Sequence, residues 1–161
     1  MSTLTEAHIR TLARPEIEAI LGRNCVGRMA FEHRDRISIT PIHYVYADGW
    51  LYLRTSDSEK YRGLEESFYR TLPVAFEVDE VEELFRWRSV VVHGSAYLVP
   101  HPSEGGDPAD WSSAVTQLRK LLPAALTDSD PAPSRNVVFR IAVQEASGRE
   151  CDPDGKSHAE A

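Results

Sequence analysis

Between Arg36 and Leu64 the chain reads RISITPIHYVYADGWLYLRTSDSEKYRGL, and this stretch constrains everything around it. Residues Arg36–Ala47 are rich in β-branched and aromatic side chains. Asp48-Gly49 supplies the positive backbone angles of a two-residue hairpin turn, and Trp50–Thr55 returns antiparallel. Alternation sets Leu51 and Leu53 on one face and Trp50, Tyr52 and Arg54 on the other. Ser56, Asp57 and Ser58 are each suited to N-cap a helix over Glu59–Glu66. A tight hairpin that runs straight into a capped helix commits the chain to an antiparallel sheet with helices outside it.

Chemistry collects at the strand end. Arg54, Thr55, the loop hydroxyls, the free N–H groups of a helix start and Lys60 converge on one point, an arrangement that suits the acceptor oxygens of a phosphate monoester. A cation in a first helical turn opposes the dipole, so Lys60 is best explained by an anion there. The alternative is a solvated ion network in which Arg54 and Lys60 pair with Asp57, Glu59, Glu65 or Glu66.

The flanking segments extend the β pattern. Pro15–Leu21 is a helix with Ile17, Ile20 and Leu21 on one face and Gly22 as its stop. Asn24–Phe31 is a strand in which Gly27 marks a close backbone approach or a bend. Pro41 belongs at an edge or a bulge of its strand, because it cannot donate to a ladder. Pro73–Asp79 and Trp87–Val99 are further strands, with Glu80–Glu83 between them as a turn or short helix. A helix runs from Pro108 to Pro123, Thr127–Arg135 is a Pro- and Asp-rich loop, and Asn136–Val143 is the final strand. About six strands with short connections predict a mainly β fold, a small barrel closed upon itself with flanking helices. The expected organisation is a lead-in over 1–14, one domain over 15–150 and a disordered tail over 151–161.

Composition excludes several classes. A net charge of −7 with no Lys/Arg cluster argues against a nucleic-acid surface. The apolar runs are strand-sized and the N-terminus lacks an apolar signal region, so no membrane span is expected and a cytoplasmic location is. Cys25 reads as a small buried hydrophobe and Cys151 as part of the polar tail. His43 and His93 lie in strands without Cys or carboxylate at ligand spacing, so no metal site is expected.

The blocks GRMAF (Gly27–Phe31), PIHYVYADGWLYLRT followed by SEK, VAFEVDE, W-x-SVVVHG (Trp87–Gly94) and FRIAVQEASGRE resemble, in order and spacing, the pyridoxamine 5′-phosphate oxidase-like flavoproteins, especially their nitroimidazole-resistance branch. The resemblance covers roughly Pro15 to Glu150 and implies a homodimeric FMN-binding split β-barrel with the cofactor at the subunit interface. By position it implies phosphate contacts from Arg54, Thr55, Ser58 and Lys60, and main-chain contacts to the flavin ring from Pro41, Ile42 and His43. Trp87, Ser89 and Arg140 match positions near the ring. The implied activity is flavin-mediated hydride or electron transfer to a small flat acceptor, such as a nitroaromatic. Alternatives on the same fold are the deazaflavin coenzyme F420, haem, or a flavin-binding protein without turnover. The family's second set of phosphate-binding residues is missing, since the C-terminal end offers only Arg149, Lys156 and His158, which makes vitamin B6 oxidation doubtful. Trp50, Tyr52, Trp87 and Tyr44 are expected as exposed aromatics that a partner chain covers.

Overall fold

Asp48 and Gly49 adopt φ of 50° and 81°, the paired positive angles that the Asp-Gly dipeptide predicts for a two-residue hairpin. The hairpin belongs to a computed structural model that describes residues 7–57, 62, 65 and 72–155. In chain order the elements are β1 (His8–Thr11), α1 (Arg14–Arg23), β2 (Val26–His33), β3 (Arg36–His43), β4 (Val45–Ala47), β5 (Trp50–Thr55), β6 (Leu72–Glu83), β7 (Arg86–Leu98), α2 (Pro108–Leu121) and β8 (Val137–Asp152). Ser58, Lys60 and most of the expected Glu59–Glu66 helix lie outside the described residues; Arg62 and Glu65 are helical.

All eight strands join one antiparallel sheet in the order β3-β2-β6-β7-β8-β5-β4, with β1 added alongside β8. The two ends of that order, β3 and β4, are consecutive pieces of chain separated by Tyr44 alone. The sheet therefore curls until its ends meet in one bent strand. It is not sealed by a further ladder, which corrects the expectation of full closure and makes this a split barrel. Tyr44 is the seam. It is fully buried, its N–H donates to the Cys25 carbonyl at 3.0 Å, its hydroxyl donates to the Leu21 carbonyl at 2.7 Å, and its ring stands edge-on to Phe76.

The barrel interior is built from the alternation that the sequence predicts. Leu51, Leu53, Phe76, Val78, Val90, Val92, Phe139 and Ile141 fill it, and α1 plugs one end with Ile17, Ile20 and Leu21. At Gly27 a Cβ atom would lie 2.2 Å from the Phe76 ring, so the close approach expected there is real. A second, smaller core lies on the outer face, where α2 sets Ala114 and Leu118 against Tyr52, Val99 and Val138.

Several expectations change. Gly22 sits inside α1, which ends at Arg23 with Asn24 as its C-cap. Glu80–Glu83 continues β6 into a hairpin that turns at Leu84-Phe85. The register of Pro41 with β2 is continuous; it shifts instead between His93 and Gly94, where β8 carries Gln144 as an extra residue, and between Val81 and Glu83, where β6 carries Glu82. β8 extends nine residues past Val143, and its end pairs with β1, so the lead-in and the start of the tail belong to the sheet. Cys151 is accordingly buried, whereas Cys25 is exposed. Of the aromatics expected at the surface, Tyr44 and Tyr52 are buried, and Trp50 and Trp87 are half-buried.

Candidate functional site

The seam decides which predicted residues meet. β4 pairs with β5 as Val45↔Tyr52, Tyr46↔Leu51 and Ala47↔Trp50. That ladder ends at Val45↔Tyr52; ahead of Tyr44 the chain pairs with β2 instead, while the Cα traces of β3 and β5 still approach within 8 Å. β3, which carries Pro41–His43, and β5, which ends in Arg54 and Thr55, are thus neighbours across the split of the barrel without a ladder between them.

Backbone alternation determines what β3 offers there. Tyr44 N–H bonds Cys25 O directly across the ladder, so pairs at even separations from it along β3 are hydrogen-bonded to β2 and the intervening ones are not. Ile42 therefore spends its main-chain groups on Gly27. Pro41 and His43 turn theirs to the open edge, where the missing N–H of Pro41 removes no ladder bond. The Pro41 carbonyl and the His43 amide and carbonyl are thus exposed hydrogen-bonding groups along a strand edge, and both residues are exposed while the Ile42 side chain is buried in the core.

Arg54 is not a loose surface cation. Its guanidinium makes a two-pronged ion pair with Asp130, the Nη2–Oδ1 contact being 3.2 Å, and Nη1 also donates to the Arg135 carbonyl. The Asp130 side chain is almost wholly buried. It accepts in addition from the amides of Leu126 and Ala132, at 2.8 and 2.9 Å. Its carboxyl is held far below the usual carboxylate range, first by the Arg54 hydrogen bond and then by those two amides. Arg54 thereby fastens the loop between α2 and β8 to the end of β5. The ion-pair alternative named Asp57, Glu59, Glu65 and Glu66 as partners. Asp130 was missed because nothing in a Pro- and Asp-rich loop says which aspartate folds inward. Thr55 is buried at the same strand end.

The other three predicted residues stand elsewhere within one chain. Trp87 lies opposite Val81 and Cys151, and Ser89 opposite Asp79 and Arg149, on a strand separated from β3 by β2 and β6. Arg140 pairs with Tyr52 across β5 and β8. Its guanidinium lies 4.1 Å from the centroid of the Trp50 ring and 3.3 Å from Asp110 of α2, so it is stacked and ion-paired beneath that helix. His43 and His93 are on non-adjacent strands, and the described residues contain no group of side chains able to hold a metal ion. Among those residues no helix is long and apolar enough to cross a membrane.

Comparison with known proteins agrees with this architecture. No curated protein matches the chain significantly. An FAD-binding protein from Mesorhizobium loti is 25% identical, with a TM-score of 0.63, over 89% of this chain and 99% of that one. Two others show the fold alone. A putative 5-nitroimidazole antibiotic resistance protein from Bacteroides thetaiotaomicron is 14% identical with a TM-score of 0.67, covering 91% and 89%. An FAD and heme binding protein from Mycobacterium smegmatis is 17% identical with a TM-score of 0.65, covering 89% and 73%. Residues 13–150 match the family model described as pyridoxamine 5′-phosphate oxidase. With a split-barrel sheet and a family match across most of its length, the chain belongs to the pyridoxamine 5′-phosphate oxidase family.

Proposed function

We propose that the protein is an FMN-binding oxidoreductase that works as a homodimer on a small, flat electron acceptor. The observation that supports this reading is the approach of β3, the strand of Pro41–His43 with its exposed main-chain groups, to β5, the strand that ends in Arg54 and Thr55, across the split. The flavin ring has a polar edge of carbonyls and N–H groups, and the Pro41 carbonyl and His43 main chain offer complementary partners. We assign the phosphate to the hydroxyl of Ser58 and the charge of Lys60 that the family resemblance implies, both outside the described residues. Arg54, committed to Asp130, contributes there mainly by fixing the strand end. When bound, the flavin supplies hydride or electron transfer, and the chain's part is to orient it and exclude water.

In the dimer, Trp87, Ser89 or Arg140 of one protomer approaches the ring held by the other. The surface available for this is the outer face of β3, β2 and β6. Ile37 and Ile39 are 84% and 70% exposed, and Ile39 continues through Ala30 into Ala75 across three strands. A second reading, FAD in place of FMN, is favoured by the 25% identical FAD-binding relative. Absorbance of the purified protein followed by cofactor extraction and mass spectrometry decides among FMN, FAD, F420 and haem. A colourless protein that fails to take up added FMN would sink the proposal. Lys60→Ala is expected to weaken FMN binding about ten- to a hundred-fold, the loss of one charge-assisted contact. An unchanged titration would remove Lys60 from the site.

A further inference from the structure

The loop that Arg54 fastens walls a cleft on the opposite side of the strand end from β3. The cleft has a volume of about 770 Å³, within the range of small-molecule sites. Leu98, Val99, Leu126, Pro133 and Val138 make its apolar floor and sides. Trp111 and His101 form an aromatic corner, with ring centroids 4.9 Å apart and planes at 80°. The corner is held in place from both sides. His101 Nδ1 accepts the Ser103 amide at 3.0 Å, and Trp111 is carried on the first turns of α2, whose N-cap Asp107 accepts two amides.

Among the described lining residues the charge around this apolar floor is one-sided. Asp57, Glu104 and Asp128 line the opening and are exposed, Glu65 also lines it, and no lysine or arginine is among the described lining residues. Arg54 is near but is neutralised by Asp130. A cleft with low-dielectric walls and carboxylates of one sign focuses a negative potential. A Trp face beside that potential favours a cation over a neutral ring of equal shape. We propose that this cleft is a binding site for a planar organic cation, an aromatic ring carrying positive charge, which stacks in the Trp111–His101 corner with its charge toward Glu104 and Asp128. The Trp111–His101 corner lies away from the flavin edge at β3, although Asp57, beside the segment proposed for the flavin phosphate, also lines the cleft.

Calorimetric titration of the full-length protein, as purified, with three probes of one shape tests this at pH 8: N-methylquinolinium, neutral quinoline and quinoline-3-carboxylate. The cation is expected to bind about tenfold or more tighter than quinoline, and the carboxylate to show no binding. The double substitution Glu104→Gln with Asp128→Asn alters only exposed carboxylates, so its melting temperature should match that of the parent. It should lower affinity for the cation about tenfold and leave quinoline unchanged. Trp111→Leu should weaken both. Carboxylate binding equal to that of the cation, or cation binding unaffected by the double substitution, would overturn the assignment. Flavin content measured by absorbance on the same samples reports separately on the cofactor site.

Discussion

Tyr44 joins the two ends of the sheet, and its hydroxyl is the donor that ties them to α1 through Leu21. Burial pushes that hydroxyl's pKa up, so it remains a donor throughout the physiological range. Tyr44→Phe should cost about 1 kcal/mol in denaturant unfolding, because the Leu21 carbonyl loses its buried partner while the ring packing survives. Gly27→Ala should cost more, about 1–3 kcal/mol, since the new methyl meets the Phe76 ring and the Glu77 carbonyl at once. A melting temperature equal to the parent's would mean that β2 can shift away. Residues whose environment follows from local chemistry were legible in the sequence: the Asp48-Gly49 turn, the Leu51/Leu53 face and the tight fit of Gly27. Arg54 was legible as a residue with a task, but not its partner, 76 positions away. The sequence pattern marks Tyr44 as a surface aromatic, because alternation cannot reveal that a strand changes partners at that position.

At the scale of elements, the long strands are laced by a run of ion pairs. Glu16 of α1 pairs with Arg10 of β1, which also reaches Glu150 of β8. Glu150 pairs with Arg88 of β7, which faces Glu80 of β6, and Glu80 binds Arg23 at the end of α1. Five elements are thereby tied at one end of the barrel. Glu16 and Glu80 are held below the ordinary glutamate value of 4.5 by hydrogen bonds, chiefly from Arg10 and Arg23 respectively. A depressed carboxylate binds fewer protons folded than unfolded. Its stabilisation is complete above the ordinary value and is lost as pH falls through the folded one. Melting temperature should therefore hold between pH 7 and 5 and fall below about pH 4.5. Glu80→Gln should shallow that acid limb, and an unchanged limb would show that the run does not govern acid stability. Glu150 is the deepest member, with its side chain 4% exposed, so Glu150→Ala should cost about 1–2 kcal/mol by removing the carboxylate that Arg10 and Arg88 share, while Arg10 keeps Glu16 and Arg88 keeps Glu80. The sequence did not show this run, because it places Glu150 where the apolar pattern has ended. β8 is held there by its ladders with β1 and β7 together with these ion pairs.

For the whole molecule, the proposed dimer makes a surface prediction. Ile39→Glu puts a charge in the centre of the exposed Ile37–Ala75 patch and should convert the dimer to monomer in light scattering at micromolar concentration. An unchanged mass would place any interface elsewhere. The eight-stranded order has a further consequence for how the chain acquires its shape. β8 pairs with β1, β7 and β5, so the strand nearest the C-terminal end joins three others drawn from nearly the full length of the sequence. While the protein is being synthesised, β5 and β7 emerge first and wait with open edges, and the interior of the barrel stays wet until β8 leaves the ribosome. Folding is then a late, nearly all-at-once event with a high mean sequence separation between contacts. A chain cut before Val137 should leave the β5 and β7 edges that β8 covers open and accumulate as aggregate, measured by pelleting after expression.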